Sequence, residues 1–285
     1  MQPRKVLTEI KGLSDAKVEK MLEAAQKLCS RFSFTSAKEL EVRRQQQIVH
    51  ISTGSAALDE ILGGGIETGA LTEIYGEYRC GKTQLCCTLC VTSQINDKIP
   101  GKAIYIDTEG SFRPKRIRDI ADRFQLDGDQ ILANIVYGRA FNYEQQISLL
   151  ENAAALMAEE QFKILIMDSL TSNFRTDFSG RGELAERQQR LNGMLAKMRK
   201  VAEEFNCAIM YTNQVMSDPS GGAMFVSDPK KPIGGHVVAH ASTYRLYIRK
   251  GKAEQRILKL VQAPGLPEAE ASFAIGSTGI EDYKD

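Results

Sequence analysis

The chain has 285 residues, 42% of them apolar, enough for one large domain with a buried core and a small appendage. Its 37 Lys and Arg against 36 Asp and Glu leave a formal net charge of +1. This excludes a polyanion-binding field spread over the whole molecule, so any nucleic-acid site has to be a local patch.

Behind Gly12 and Ser14, a punctuating glycine and a cap, the apolar residues Val18, Met21, Leu22, Ala25 and Leu28 recur at helical spacing. Residues 1–30 are expected to form part of a small helical unit, the latter half of a helix-hairpin-helix, too short to bury a core alone. Residues 31–47 show no sustained period, end in Arg43-Arg44-Gln45-Gln46-Gln47 and read as a linker.

From residue 48 to 285 the pattern is that of one α/β domain. Strands are expected at 71–75, 103–107, 163–168 and 208–212, and helices at 84–94, 114–124, 143–160 and 183–205. Such alternation predicts a mostly parallel sheet flanked by helices, with ligands bound beyond the carboxyl ends of the strands. Near the C-terminus the runs 244–249 and 256–261, joined by a Lys250-Gly251-Lys252 turn, predict an antiparallel hairpin.

Six cysteines form no paired CxxC framework, and Cys86, Cys87 and Cys90 crowd one apolar helical stretch, which points to a reducing compartment. No apolar run approaches the roughly 20 residues that span a bilayer, and the N-terminus lacks the apolar stretch of a signal peptide. A soluble intracellular protein with no membrane role is expected.

The sharpest motif is Gly76-Glu77-Tyr78-Arg79-Cys80-Gly81-Lys82-Thr83, a complete GxxxxGK[ST] between an expected strand and an expected helix. Its glycines let backbone N–H groups and the helix N-terminus face phosphate oxygens. Lys82 is expected to reach the β- and γ-phosphates of ATP, and Thr83 to ligate Mg²⁺. The apolar run 164–167 delivers Asp168 to a strand end, where a carboxylate can hold the metal's water shell. Glu109 stands just past another strand and can orient or deprotonate an attacking water. Gln214, ending a further strand, can sense the γ-phosphate ahead of a long loop.

Together with these motifs, the stretches GEYRCGKTQ, YIDTEGSFRP, FSGRGELAERQQ, TNQV and SDPKKPIGGHVVAHAST resemble the eukaryotic and archaeal (RadA-type) RecA-like strand-exchange recombinases, from Ile10 to Asp285. Residues 182–189 and 216–219 are most similar to the meiosis-specific branch. The resemblance implies a RecA-like P-loop ATPase core and a DNA-dependent ATPase that forms filaments on single-stranded DNA. It also implies homology search and strand exchange in meiotic recombination and double-strand-break repair. Single- and double-stranded DNA, further copies of itself and recombination mediator proteins would be its partners, in the nucleus. It implies catalytic roles for Lys82, Glu109 and Gln214, and nucleotide contacts from 76–83, Gln84 and, over a neighbour's ATP, Pro267.

The resemblance further implies two DNA-binding loops. Arg175, Arg181 and Arg187 straddle the first around Gly182, a design suited to phosphate contacts. The second, from Met216 to about His236, carries Pro219, Met224, Phe225, Lys230 and Lys231 without helical or strand period. A patternless stretch of that length inside a compact domain is usually functional or disordered. Met224 and Phe225 can stack on or separate bases, or else pack the loop on its own domain. Arg249 on the hairpin can meet a second duplex, although charged turns are commonly just solvated.

Phe34-Thr35-Ser36-Ala37 resembles the FxxA element whose aromatic plugs a neighbouring subunit, which assigns Phe34 and Ala37 to oligomerisation. His240 would join them at the subunit boundary; His236 and His240 are also four apart, a spacing that suits a metal, but no third ligand is evident. The sequence departs from the family in its shorter N-terminal unit, in Cys80 where Thr is usual, and in Gln262 where Asp is typical. Two other readings share a P-loop: a catalytically weak paralogue acting in assembly, and a ring helicase or other phosphotransferase. The complete set Lys82, Glu109, Asp168 and Gln214 speaks against the first, and the Gly/Lys-rich second loop with the FxxA-like plug against the second.

Overall fold

The structure, a computed structural model, describes residues 17–21, 34–95, 101–178, 180, 182–217 and 230–284. The chain divides into two units, Met1–Ile48 and Val49–Asp285.

In the first unit residues 17–21 are helical, and the rest of the expected helical segment 1–30 lies outside the described residues. Within the stretch read as a linker stands a helix, Ala37–Gln47. Ser36 caps it through a reciprocal box: the Glu39 N–H donates to Ser36 Oγ at 3.2 Å and the Ser36 N–H to Glu39 Oε2 at 3.1 Å. The Thr35 hydroxyl also donates to that carboxylate at 2.6 Å, and this bond is the main cause of its lowered pKa. No residue of the helix is buried, so it has no apolar face and hence no period to read. The Ser-x-x-Glu spacing was the signal available.

In the second unit β1 (His50–Ile51) pairs with β2 (Ile66–Glu67) as a small antiparallel ladder. The main strands follow as β3 (Leu71–Gly76), β4 (Lys102–Asp107), β5 (Ile135–Arg139), β6 (Phe162–Asp168), β7 (Ala208–Ser217) and β8 (Lys230–Pro232). The last four are β9 (Tyr244–Lys250), β10 (Arg256–Gln262), β11 (Ala269–Gly276) and β12 (Gly279–Asp282). Among the described residues these make a ten-stranded sheet in the order β12-β11-β10-β9-β3-β7-β6-β4-β5, with β8 paired to β7 beside that path. From β9 to β5 the neighbours are parallel, and β9 to β12 form an antiparallel edge.

Alternation along the central strands sorts side chains between two cores. Ile74, Tyr105, Ile164 and Ile166 face the helices Lys82–Thr92 and Pro114–Arg123 through Leu85, Leu89, Ile117 and Ile120. Leu71, Ile104, Ile106, Leu165 and Met167 face the helices Tyr143–Glu159 and Leu184–Phe205 through Leu150, Leu191 and Met198. The expected α/β architecture, a mostly parallel sheet with helices on both faces and an antiparallel C-terminal edge, is thus observed. Cys86, Cys87 and Cys90 are buried in the helix behind the P-loop. Among the described residues no helix is long and apolar enough to cross a membrane.

Candidate nucleotide and nucleic-acid site

Parallel register brings the strand ends to one rim: Gly76 of β3 lies opposite Gln214 of β7, and Asp107 of β4 opposite Asp168 of β6. There an open cavity of about 700 Å³ is lined by 76–84, Glu109, Ser111, Asp168, Ser169, Thr212 and Gln214. Gly76 packs so closely on β9 that a Cβ would run into the Ile248 carbonyl. Gly81 sits at φ 112° as the N-cap of the helix Lys82–Thr92, where a side chain would be strained and would meet Ile275. No side chain caps this helix, and its first residues line the cavity, an arrangement suited to an anion. The helix begins at Lys82, one turn's fraction earlier than the apolar pattern from 84 onward indicated.

Lys82 Nζ donates to the carbonyls of Gly76 at 2.8 Å and Glu77 at 2.7 Å. Burial lowers its pKa, and the carboxylates of Asp168 and Glu109 partly oppose that effect. Cys80 is wholly buried, while Tyr78 is exposed with the Arg79 guanidinium 5.3 Å from its ring centre. Gln84 Oε1 accepts from Arg116 Nε at 2.7 Å.

Asp168 is held by hydroxyls. Its Oδ2 accepts from Thr83 Oγ1 at 2.7 Å and from the Tyr105 hydroxyl at 2.8 Å, and its Oδ1 from Thr212 Oγ1 at 2.5 Å. Burial pushes the Tyr105 pKa well up, so this phenol is a fixed donor. A hydroxyl and a carboxylate in contact are the hard oxygen ligands a magnesium ion takes.

Glu109 Oε1 accepts from Gln214 Nε2 at 3.0 Å and from Ser169 Oγ at 3.1 Å, and Gln214 Oε1 accepts from Arg175 Nη1 at 3.1 Å. The turn presenting Glu109 is shaped by buried Asp107, whose carboxylate accepts the N–H groups of Glu109, Gly110 and Phe112 at 2.9, 2.6 and 3.1 Å. Sequence reasoning missed Tyr105, Asp107, Ser169 and Thr212. Their roles come from strand register across the sheet and leave no local spacing to find.

Lys82, Thr83, Glu109, Asp168, Gln214 and Arg175 are therefore brought together. Gly182 stands in the turn before the helix Leu184–Phe205, whereas Arg181, Pro219, Met224 and Phe225 lie outside the described residues. The patternless run expected from Met216 to His236 needs correction at both ends. Met216 and Ser217 belong to β7, opposite Lys231 and Lys230 of β8, and residues from Gly235 onward form the helix Gly235–Ala241. A three-residue strand ending in proline has no pattern of its own and exists only through its partner.

Arg249 pairs with Glu270 at 3.2 Å on the exposed edge. His240 stacks on His236 with ring centres 6.0 Å apart, and Phe34 is fully exposed. Pro267 is not brought to this cavity. Gln262 of β10 pairs with Arg245 at the start of β9, itself opposite Glu73 near the start of β3, so the segment following β10 lies on the opposite rim.

A model of the Rad51 family matches residues 43–283. The chain is 57% identical to "Meiotic recombination protein DMC1 homolog B" of Oryza sativa subsp. japonica over 288 positions, covering 100% of this chain and 83% of that protein. It is 56% identical to the "Meiotic recombination protein DMC1 homolog" of Arabidopsis thaliana with the same coverage. Against "DNA repair protein RAD51 homolog 1" of Arabidopsis thaliana identity is 53%, over 99% of this chain and 83% of that protein.

Proposed function

The chain belongs to the Rad51 family, and from that premise we propose that it is a DNA-dependent ATPase that assembles on single-stranded DNA and exchanges homologous strands in meiotic recombination and double-strand-break repair, in the nucleus. One observation carries the reading: four separated segments place Lys82, Thr83, Glu109, Asp168 and Gln214 around one cavity, with Arg175 hydrogen-bonded to Gln214.

The glycine cradle, uncapped helix and hydroxyl-carboxylate pair fit ATP and Mg²⁺, which would supply an electrophilic γ-phosphoryl group with its charge neutralised. Lys82 would exchange its two carbonyl partners for phosphate oxygens, and Thr83 and Asp168 would hold the metal. Glu109, fixed by Ser169, is placed to orient a water and take its proton at Oε1. Gln214 has one amide for two neighbours, so a new phosphate contact competes with its bonds to Glu109 and Arg175.

Arg175, Arg181, Gly182, Pro219, Met224, Phe225, Lys230, Lys231 and Arg249 are the proposed contacts to single- and double-stranded DNA. Phe34, Ala37 and His240 would serve a head-to-tail contact between copies, with Pro267 over the neighbour's nucleotide; such a contact gives an open helix or a ring. Recombination mediators are the further partners proposed.

The test is single-strand affinity in a non-hydrolysable ATP analogue and in ADP. Tighter binding with the analogue by at least about fivefold is expected, the lower end of typical coupling between sites; equal affinities sink the reading. Phe34→Glu is expected to keep nucleotide binding while light scattering detects no polymers.

A further inference from the structure

Behind the cavity one buried amide joins segments far apart in the chain. Asn213, the neighbour of Gln214 in β7, has no exposed surface. Its Oδ1 accepts from the Thr171 hydroxyl at 2.9 Å and from the Gln214 backbone N–H at 2.9 Å. Its Nδ2 donates to Glu73 Oε1 at 2.8 Å and to the Ile233 carbonyl at 2.7 Å. Two donors and two acceptor positions are the full capacity of a carboxamide, and all are used. The orientation is fixed, because a backbone N–H only donates while a carboxylate and a carbonyl only accept. Glu73 is also wholly buried, and its other oxygen accepts from Arg245 Nε at 2.7 Å. A buried ion pair is tolerated when its remaining lone pairs are satisfied, and Asn213 supplies a donor for this one.

The four partners lead to the functional rim. Thr171 precedes the helix Ser172–Asp177, which carries Arg175 and runs toward the first loop. Gln214 bridges Glu109 and Arg175. Ile233 directly follows β8 at the exit of the second loop, and Glu73 lies in the strand that enters the P-loop. In a low-dielectric network with every member satisfied, a shift of one member strands the others.

We propose that Asn213, anchored by the Glu73–Arg245 pair, is a positioning residue that makes the placement of Gln214 and the bases of both loops depend on one another, and so transmits the nucleotide state to the DNA-binding segments. This rests on the loop assignment proposed above. Gln214 senses; Asn213 determines whether both loops register what it senses.

The near-isosteric Asn213→Asp replaces two donors by acceptors and faces Glu73 with a second negative charge. The exchanged pair N213D/E73Q restores a hydrogen bond between the two positions with its direction reversed and the net charge kept. For wild type and both variants, single-strand affinity is measured in the ATP analogue and in ADP, with nucleotide affinity and melting followed on the same preparations. N213D is expected to bind nucleotide within about threefold of wild type while the ratio of its two DNA affinities falls most of the way to one, the value for uncoupled sites. The exchanged pair, which regains the bond to position 73 but not the one to the Ile233 carbonyl, is expected to recover part of that ratio, which a general loss of packing would not do. An unchanged ratio in N213D, or a lost ratio with no recovery in the pair, overturns the proposal. If N213D does not fold, Thr171→Val carries the test: about a threefold drop in the ratio is expected from one lost hydrogen bond, and no drop overturns the proposal. A wild type with equal affinities instead removes the loop assignment, and this proposal with it.

Discussion

The two halves of the sheet are built on different terms. In β3, β6, β4 and the first half of β7 almost every residue is buried, because helices cover both faces and a parallel strand has no solvent side. From β9 to β11 burial alternates or is partial, and charged residues such as Arg249, Lys259 and Glu270 occupy the outer positions. The parallel half spends its polar residues at the strand ends, where Asp107, Asp168, Asn213 and Gln214 converge. The antiparallel half returns its chain through turns and leaves its polar residues along its face. Chemistry gathers where parallel strands stop together, and the other half supplies support.

Three substitutions break or sharpen that division. The largest effect is expected from the supporting half: Phe273→Ala, in β11 and wholly buried, should lower stability by about 3–5 kcal/mol in denaturant unfolding. Nucleotide affinity of the molecules that remain folded should not change; a matching loss of affinity would mean the edge helps shape the cavity. Next, Lys82→Ala should weaken nucleotide binding about 100-fold, near 3 kcal/mol for the loss of charge-assisted bonds, with little change in melting. Joint-molecule formation should vanish with it, and normal strand exchange would remove the P-loop from the reaction.

The smallest effect concerns Asp282 at the far edge, which accepts from Ser55 Oγ at 2.5 Å and the Ala57 N–H at 3.1 Å. Those bonds, the Ser55 one first, lower its pKa. A carboxyl depressed on folding contributes above its ordinary range, and the contribution is lost as pH falls through the lowered value. Asp282→Asn should cost about 0.5 kcal/mol near neutrality, little because the group is exposed, and should flatten part of the acid limb of the stability curve.

Much of this was legible beforehand. The four long helices and the strands β3, β4 and β6 appear close to the expected bounds because their apolar periods are strong, whereas β7 runs on to Ser217 past the expected end at 212; the P-loop sits between strand and helix as its motif requires. β5, β11 and β12 went unread: Ile135–Arg139 is an edge strand with mixed exposure, and 269–282 is rich in small residues with weak alternation. The capped helix Ala37–Gln47 lacks an apolar face, and β8 needs β7. The residues singled out by a motif are among those that line the cavity, and its neighbours without a motif were not foreseen. Tyr105 lies 63 positions from Asp168, and Glu73 lies 140 from Asn213; only folding makes them neighbours.

The helix behind the phosphate cradle has an experimental use through its sulfur atoms. Burial pushes the Cys87 thiol up to about 12, and raises those of Cys86 and Cys90 well above the ordinary range. Since the deprotonated sulfur is the nucleophile, a maleimide or iodoacetamide would find these positions silent in the closed molecule. With Cys29, Cys80 and Cys207 replaced by Ser, alkylation rate becomes a clock on how often this helix lifts from the sheet, and slowing of that clock by a nucleotide would report occupancy with no coupled assay.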